Sequence, residues 1–171
     1  MNEVVDATQR TWIGTVLDQF EGPLIGYAVR ITGDADLARD VVQETFLRLC
    51  GESPADLNGC LGPWLFTVCR NRAFDVRKKE RRLTAVCDAG LDVTAEAPGA
   101  DPSAAAERRE SSGRIVRLLA ALPENQQEVI HLRFQGALSY KEIAAVTGLS
   151  VTNVGYLIHT AIAALREKTK D

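Results

Sequence analysis

The residue types that carry covalent or metal chemistry are scattered along this chain rather than gathered. The four cysteines (Cys50, Cys60, Cys69, Cys87) form no CxxC pair, and the only histidines, His131 and His159, lie far from them in sequence. A zinc site needs three or four clustered soft ligands, so no metal is expected and the thiols read as reduced structural or surface groups. Asp40, Gln43 and Glu44 stand at i, i+3, i+4, which puts all three on one helix face. That face reads first as solvated surface. Two carboxylates on an exposed helix make no acid–base machine without a nucleophile, a metal cluster or a phosphate loop, and the sequence supplies none. No catalytic residue and no cofactor is expected, and the chain is not read as an enzyme.

A different chemistry is concentrated between Arg70 and Arg82. Seven basic residues (Arg70, Arg72, Arg77, Lys78, Lys79, Arg81, Arg82) face only Asp75 and Glu80, a local balance of +5 in a chain of net charge -3. Asn71 and Phe74 are interleaved with them. A basic helix end with an aromatic and an amide can grip phosphate and stack on bases; a solvated charge run is the other reading. From Leu83 to Glu107 there is no Lys or Arg, only five acids.

Helices must position these groups. Ile13, Val16, Leu17, Phe20, Leu24, Tyr27, Ala28 and Ile31 recur at three- and four-residue steps. Pro23 is expected to kink that helix or to begin a new one. Gly33-Asp34 breaks the run, and Asp34 can cap the next helix. That helix buries Leu37, Ala38, Val41, Val42, Phe46 and Leu49 and leaves Asp40, Gln43 and Glu44 on another side. A loop rich in Gly, Pro and Asn follows, from Gly51 to Gly62. Pro63 suits the first turn of a third helix, with Trp64, Leu65, Val68, Ala73 and Val76 turned inward and the basic residues turned away. The segment from Ala89 to Ala106 is rich in Ala, Asp, Pro and Gly, has no sustained apolar period and reads as a linker.

Beyond it, Ile115 to Leu122 form a short amphipathic helix that Pro123 ends. Asn125 to Phe134 form another, which Gly136 terminates. Ser139-Tyr140-Lys141-Glu142 is a capping box opening a helix to Thr147, Gly148-Leu149-Ser150 is a tight turn, and Ser150 caps a last helix to about Glu167. Ala144 is small where two helices cross, and Leu149, Val154 and Leu157 supply the core between them. This is a helix-turn-helix pattern, a unit that places its second helix in the DNA major groove. A plain helical hairpin without DNA function has the same outline.

Taken together, the stretches YAVRITGDADLARDVVQETFLRL (27–49), PWLFTVCRNRAFDVRKKERR (63–82) and LPENQQEVIHLRFQGALSYKEIAAVTGLSVTNVGYLIHTAIAALRE (122–167) resemble, in order, an extracytoplasmic-function (ECF) sigma factor. The resemblance implies an all-α chain of two small helical domains joined by a flexible acidic linker. Residues 1–83 would form the polymerase-docking and -10-reading domain, 84–112 the linker, and 113–171 the helix-turn-helix that reads the -35 element. It implies that Asp40, Gln43 and Glu44 dock on the clamp helices of the polymerase beta-prime subunit. It also implies that Asn71, Arg72, Asp75, Arg77 and Lys78 engage the -10 element and the separated strands. Promoter DNA and core RNA polymerase, through its beta-prime and beta subunits, are the implied partners.

The last helix departs from the family pattern. Where Lys and Arg are common, this chain has VGYLIHTAIAALR, with Gly155, Leu157, Thr160, Ile162 and Ala163 at the matching positions. The matched DNA-facing residues are Thr152, Asn153, Gly155, Tyr156, His159 and Thr160. Leu157 and Ile162 serve either as extra core or as a surface for an anti-sigma factor, a partner the family commonly has. A helix-turn-helix regulator acting without core polymerase is the alternative, and it leaves the N-terminal half idle. No apolar run approaches the roughly 18 residues that span a membrane. The polar start of the chain shows no secretory signal, so no membrane insertion and a cytoplasmic location are expected.

Overall fold

The computed structural model describes residues 7–87 and 116–169, residues 84–87 by their backbone alone. Among the described residues every regular element is an α-helix, and the chain divides into two compact units. The sequence places the acidic linker over 84–112; residues 84–87 instead continue the preceding helix, and 88–112 lie outside the described residues.

The N-terminal unit holds α1 (Ala7–Thr32), α2 (Ala35–Leu49) and α3 (Leu61–Cys87), each packed on the other two. α1 runs through Pro23 as one helix. Proline removes one i→i−4 hydrogen bond and costs about 3 kcal/mol in a helix interior. Leu24, Tyr27, Ala28 and Ile31, buried just beyond it, hold the helix on course; one fully buried Leu alone supplies ~2 kcal/mol. Asp34 caps α2 as the sequence predicts, its Oδ1 accepting from the N–H groups of Asp36 and Leu37 at 2.8 Å each. Gly33 makes the preceding turn with φ +75°.

The core-facing residues of α3 differ from those expected. Leu65, Phe66, Cys69 and Ala73 are buried, whereas Trp64, Val68 and Val76 are only half-buried. At about 100° per residue the four buried positions fall on one arc, with Trp64 and Val68 on its flank. Val76 lies in the arc but further along the helix. Phe66 meets Tyr27 edge to face, ring centroids 5.4 Å apart, an arrangement worth ~1 kcal/mol beyond its buried area. Leu57 is the one residue of the 51–60 loop that is buried, and Gln9 of α1 donates to the carbonyls of Cys50 and Glu52 at the head of that loop.

The C-terminal unit holds α4, whose described residues are 116–120, then α5 (Glu124–Phe134), α6 (Tyr140–Thr147) and α7 (Val151–Lys168). α5 packs on α7, and Val129, Ile130 and Leu132 are buried, as are Val154, Leu157, Ile158 and Ala161. Gln127 donates to the carbonyls of Ala120 and Leu122 and fixes the turn after α4. α5 does not stop on glycine in the way expected. Gln135 is its cap residue, and the left-handed backbone belongs to Ala137, φ +54°. A hydrogen bond from Leu138 N–H to Leu132 C=O and one from Arg133 Nη1 to Leu138 C=O hold that turn, enough to impose a conformation that alanine alone disfavours.

Candidate nucleic-acid and protein interfaces

The α6–α7 unit is built from its caps. Ser139 Oγ accepts from Glu142 N–H at 3.3 Å, and Glu142 Oε2 accepts from Ser139 N–H at 2.7 Å, so the box closes reciprocally. These bonds from Ser139 hold the Glu142 carboxyl below the usual carboxylate range. Gly148 takes φ +76°, and its N–H donates to Ala144 C=O. Ser150 Oγ accepts from Asn153 N–H and opens α7. The two helix axes turn through 106°, within the range of DNA-binding helix-turn-helix units. Gly155 of α7 lies beside α6: an added Cβ there would stand 3.7 Å from the Tyr140 ring.

On α7 the buried and exposed residues separate cleanly. Val154, Leu157, Ile158 and Ala161 form the inner face, while Thr152, Asn153, Tyr156 and His159 are exposed together on the opposite one. Thr160 is half-buried. Its Oγ1 donates within α7, the carbonyls of Tyr156 and Leu157 lying in reach, and it accepts from Gln126 Nε2 of α5 at 3.4 Å. Leu157 is core, but Ile162 is not fully covered. It lines an apolar groove of about 350 Å³ with Leu118, Leu119, Ile130, Phe134 and Leu165.

In the N-terminal unit, Asp40 and Gln43 are exposed on α2. They rim an open groove of about 550 Å³ whose apolar wall includes Leu17, Ile25, Val42 and Phe46. Glu44 is half-buried and turned toward α3. Arg72 Nη2 donates to Glu44 Oε1 at 2.7 Å, and Arg72 Nε lies against Oε2. That hydrogen bond to Glu44 raises the guanidinium pKa further above its ordinary value. Glu44 and Arg72, expected in two separate contacts, are thus one ion pair.

Asn71, Asp75 and Lys78 are exposed on α3, and Arg77 is half-buried. The Arg70 and Arg77 guanidinium carbons lie 4.7 and 4.6 Å from the centre of the Phe74 ring, within cation–π range. Phe74, Asp75, Arg77, Lys78, Arg81 and Arg82 line a cleft of about 470 Å³. Two features escaped the sequence reading. The Arg70–Phe74–Arg77 stack was signalled by its i, i+4, i+7 spacing. Leu47, 70% exposed, stands at i+7 from Asp40 and continues the polar face of α2 as an apolar residue. Cys69 is buried beside Thr45 and Leu24, and burial pushes its thiol up to about 12.

Residues 16–83 match the family model for Sigma-70 region 2, and residues 112–165 match that for Sigma-70, region 4. The ECF RNA polymerase sigma factor SigL of Mycobacterium tuberculosis is 33% identical over 163 residues, covering 94% of this chain and 90% of that protein. This chain belongs to the ECF RNA polymerase sigma factors. The ECF sigma factor SigM of Bacillus subtilis is 25% identical over 141 residues, covering 82% of this chain and 85% of its own length. Two solved structures share the fold. RpoE from Bartonella quintana, in complex with the anti-sigma factor NepR, matches with TM-score 0.64 and 23% identity over 92% of this chain and 96% of that one. CnrH, in complex with the cytosolic domain of CnrY, matches with TM-score 0.59 and 23% identity over 94% and 89%. The all-helical two-domain architecture expected from the sequence is therefore that of sigma regions 2 and 4. As an ECF sigma factor, the chain directs RNA polymerase to promoters, and its family is one of transcription factors. Among the described residues no single helix is long and apolar enough to cross a membrane.

Proposed function

We propose that residues 1–83 dock on core RNA polymerase and engage the -10 element, that 84–112 link, and that 113–171 read the -35 element. The observation that carries this reading is the arrangement inside each unit. An exposed Asp40–Gln43 rim beside an apolar groove suits a helical protein partner. A cationic α3 with a stacked aromatic suits phosphate and unstacked bases. A capped 106° helix pair suits duplex DNA.

On this reading the α2 face meets the clamp helices of the beta-prime subunit. Asn71, Arg72, Asp75, Arg77 and Lys78 meet the -10 strands. Thr152, Asn153, Tyr156 and His159 face the upstream duplex, with half-buried Thr160 at the edge of that face and the beta subunit as a second polymerase contact. Strand separation draws on binding energy alone, because bases that leave the stack gain pocket contacts, and no catalytic step is assigned. The protein acts in the cytoplasm. An anti-sigma factor is its proposed regulator, since RpoE from Bartonella quintana, of the same fold, is seen in complex with the anti-sigma factor NepR. A helix-turn-helix regulator working without polymerase accounts only for the C-terminal unit and is not carried further.

The test is in vitro transcription by core enzyme with the full chain, alongside a core-binding titration. The expected result is promoter-dependent transcription that core alone does not give. No binding to core at micromolar concentration would sink the reading. Asp40→Ala with Gln43→Ala is expected to weaken core binding and leave the C-terminal unit folded; unchanged core affinity would remove that face from the docking surface.

A further inference from the structure

The exposed face of α7 carries an unusual chemistry for a helix that enters a major groove. Its outward residues in the first three turns are Val151, Thr152, Asn153, Tyr156 and His159. None is Lys or Arg. Val151 is 48% and Tyr156 64% exposed, so two apolar surfaces are left in water at the end of the helix that meets base edges. Asn153 is the only amide among them. Each base pair presents its own pattern in the major groove. Guanine is read by the fork of Arg or by Lys at O6 and N7, adenine by the amide of Asn or Gln at N6 and N7, and thymine by apolar contact with its methyl group.

Among the described residues, Arg133, Lys141 and Arg166 do not make good the missing fork. Arg133 is engaged with Leu138 C=O and lies over the Tyr140 ring. Lys141 sits in the first turn of α6, the helix that crosses the backbone in such units. Arg166 stands about 22 Å along α7 from Val151, at 1.5 Å per residue, beyond the turns that reach base edges. The His159 ring offers no planar fork of paired N–H groups like that of Arg. Thr160 is turned toward its own helix carbonyls and Gln126.

We infer that the C-terminal unit reads an upstream element of A·T pairs, with Asn153 on an adenine edge and Val151 and Tyr156 against thymine methyl groups. Guanine at the positions facing α7 is not selected. This inference rests on the proposal that the unit reads the -35 element. Asn153 suits the test, because its backbone N–H rather than its side chain completes the Ser150 cap, so its substitution leaves the fold in place.

The experiment is transcription by core enzyme with the full chain from a promoter library randomised upstream of a fixed -10 region, read by sequencing the transcripts. The expected result is enrichment of A·T pairs in the upstream element. Asn153→Ala is expected to lower the preference for adenine at one position about ten-fold or more, the scale of one bidentate contact. Asn153→Arg is expected to shift that same position toward guanine. Guanine required in the upstream element by the unsubstituted chain overturns the inference, and so does an upstream element with no base preference. An adenine preference unchanged in Asn153→Ala removes Asn153 as its reader and overturns the assignment. Transcription that never rises above core alone overturns the promoter-directing reading itself, an outcome distinct from all of these.

Discussion

Replacing Glu44 and Arg72 by alanine, singly and together, isolates the ion pair that joins α2 to α3. The two side chains are 42% and 36% exposed, so water screens them and the deep-interior value of a charge pair does not apply. Exposed pairs couple by roughly 0.2–1 kcal/mol, and a two-point guanidinium–carboxylate contact belongs near the top of that range. The expected coupling is therefore about 0.5–1 kcal/mol, smaller at high salt. Both tryptophans, Trp12 and Trp64, lie in the N-terminal unit. Their fluorescence during urea unfolding reports on that unit within the full chain. A coupling energy below about 0.2 kcal/mol would refute the argument that the pair fastens the two helices. The same cycle calibrates polymerase binding. A loss of 1 kcal/mol is about five-fold in affinity, since 1.4 kcal/mol is ten-fold. If Glu44→Ala weakens core binding by far more than that while Arg72→Ala does not, Glu44 touches polymerase directly. If the two lose equally, Glu44 acts by holding α3.

Two further outcomes follow from the caps and the core. Glu142 has its folded pKa depressed by Ser139, so its contribution is present above the unfolded carboxylate range near pH 4.3 and is lost as pH falls through the folded value. Ser139→Ala is expected to cost about 1 kcal/mol at pH 7 and less in acid, measured by urea unfolding followed by circular dichroism; an equal cost at pH 7 and pH 3 would contradict the box. Cys69, buried with its thiol pushed up to about 12, is expected to resist a thiol reagent at pH 8 that modifies exposed Cys50 and Cys60. Peptide mapping that finds Cys69 modified as fast as the others in the folded protein would show that α3 opens from the core.

The parts of the fold that were legible in the sequence are those set by local chemistry. Asp34, Ser139 with Glu142, Gly148 and Ser150 each act within four residues, and each stands where its side chain or backbone freedom is needed. What was misread depends on neighbours distant in the chain. Pro23 leaves open a kink or a new helix, and α1 continues through it as one element packed on α2 and α3. Trp64 has the size of a core residue, yet the core arc of α3 passes through Phe66 and Cys69. Gly136 invited the role of helix stop, and Ala137 holds the left-handed turn because Arg133 and Leu132 fix the backbone beyond it. The candidate surfaces were legible as faces by helical spacing. The pairing of Glu44 with Arg72 was not, since 28 residues separate them and no local pattern links α2 to α3.

The stack of Arg70 and Arg77 on Phe74 bears on how quickly contact with nucleic acid becomes specific. A free arginine side chain surrenders up to about 2 kcal/mol of rotamer freedom when it is immobilised. Two guanidinium groups already resting against one ring have given up part of that freedom during folding. On the proposed reading they enter a strand contact with their register set, whereas the exposed Lys78, Lys79, Arg81 and Arg82 further along the helix keep theirs. A single helix then offers two kinetic classes of cation. One end fixes where a strand sits, and the other can follow it while the duplex is still moving.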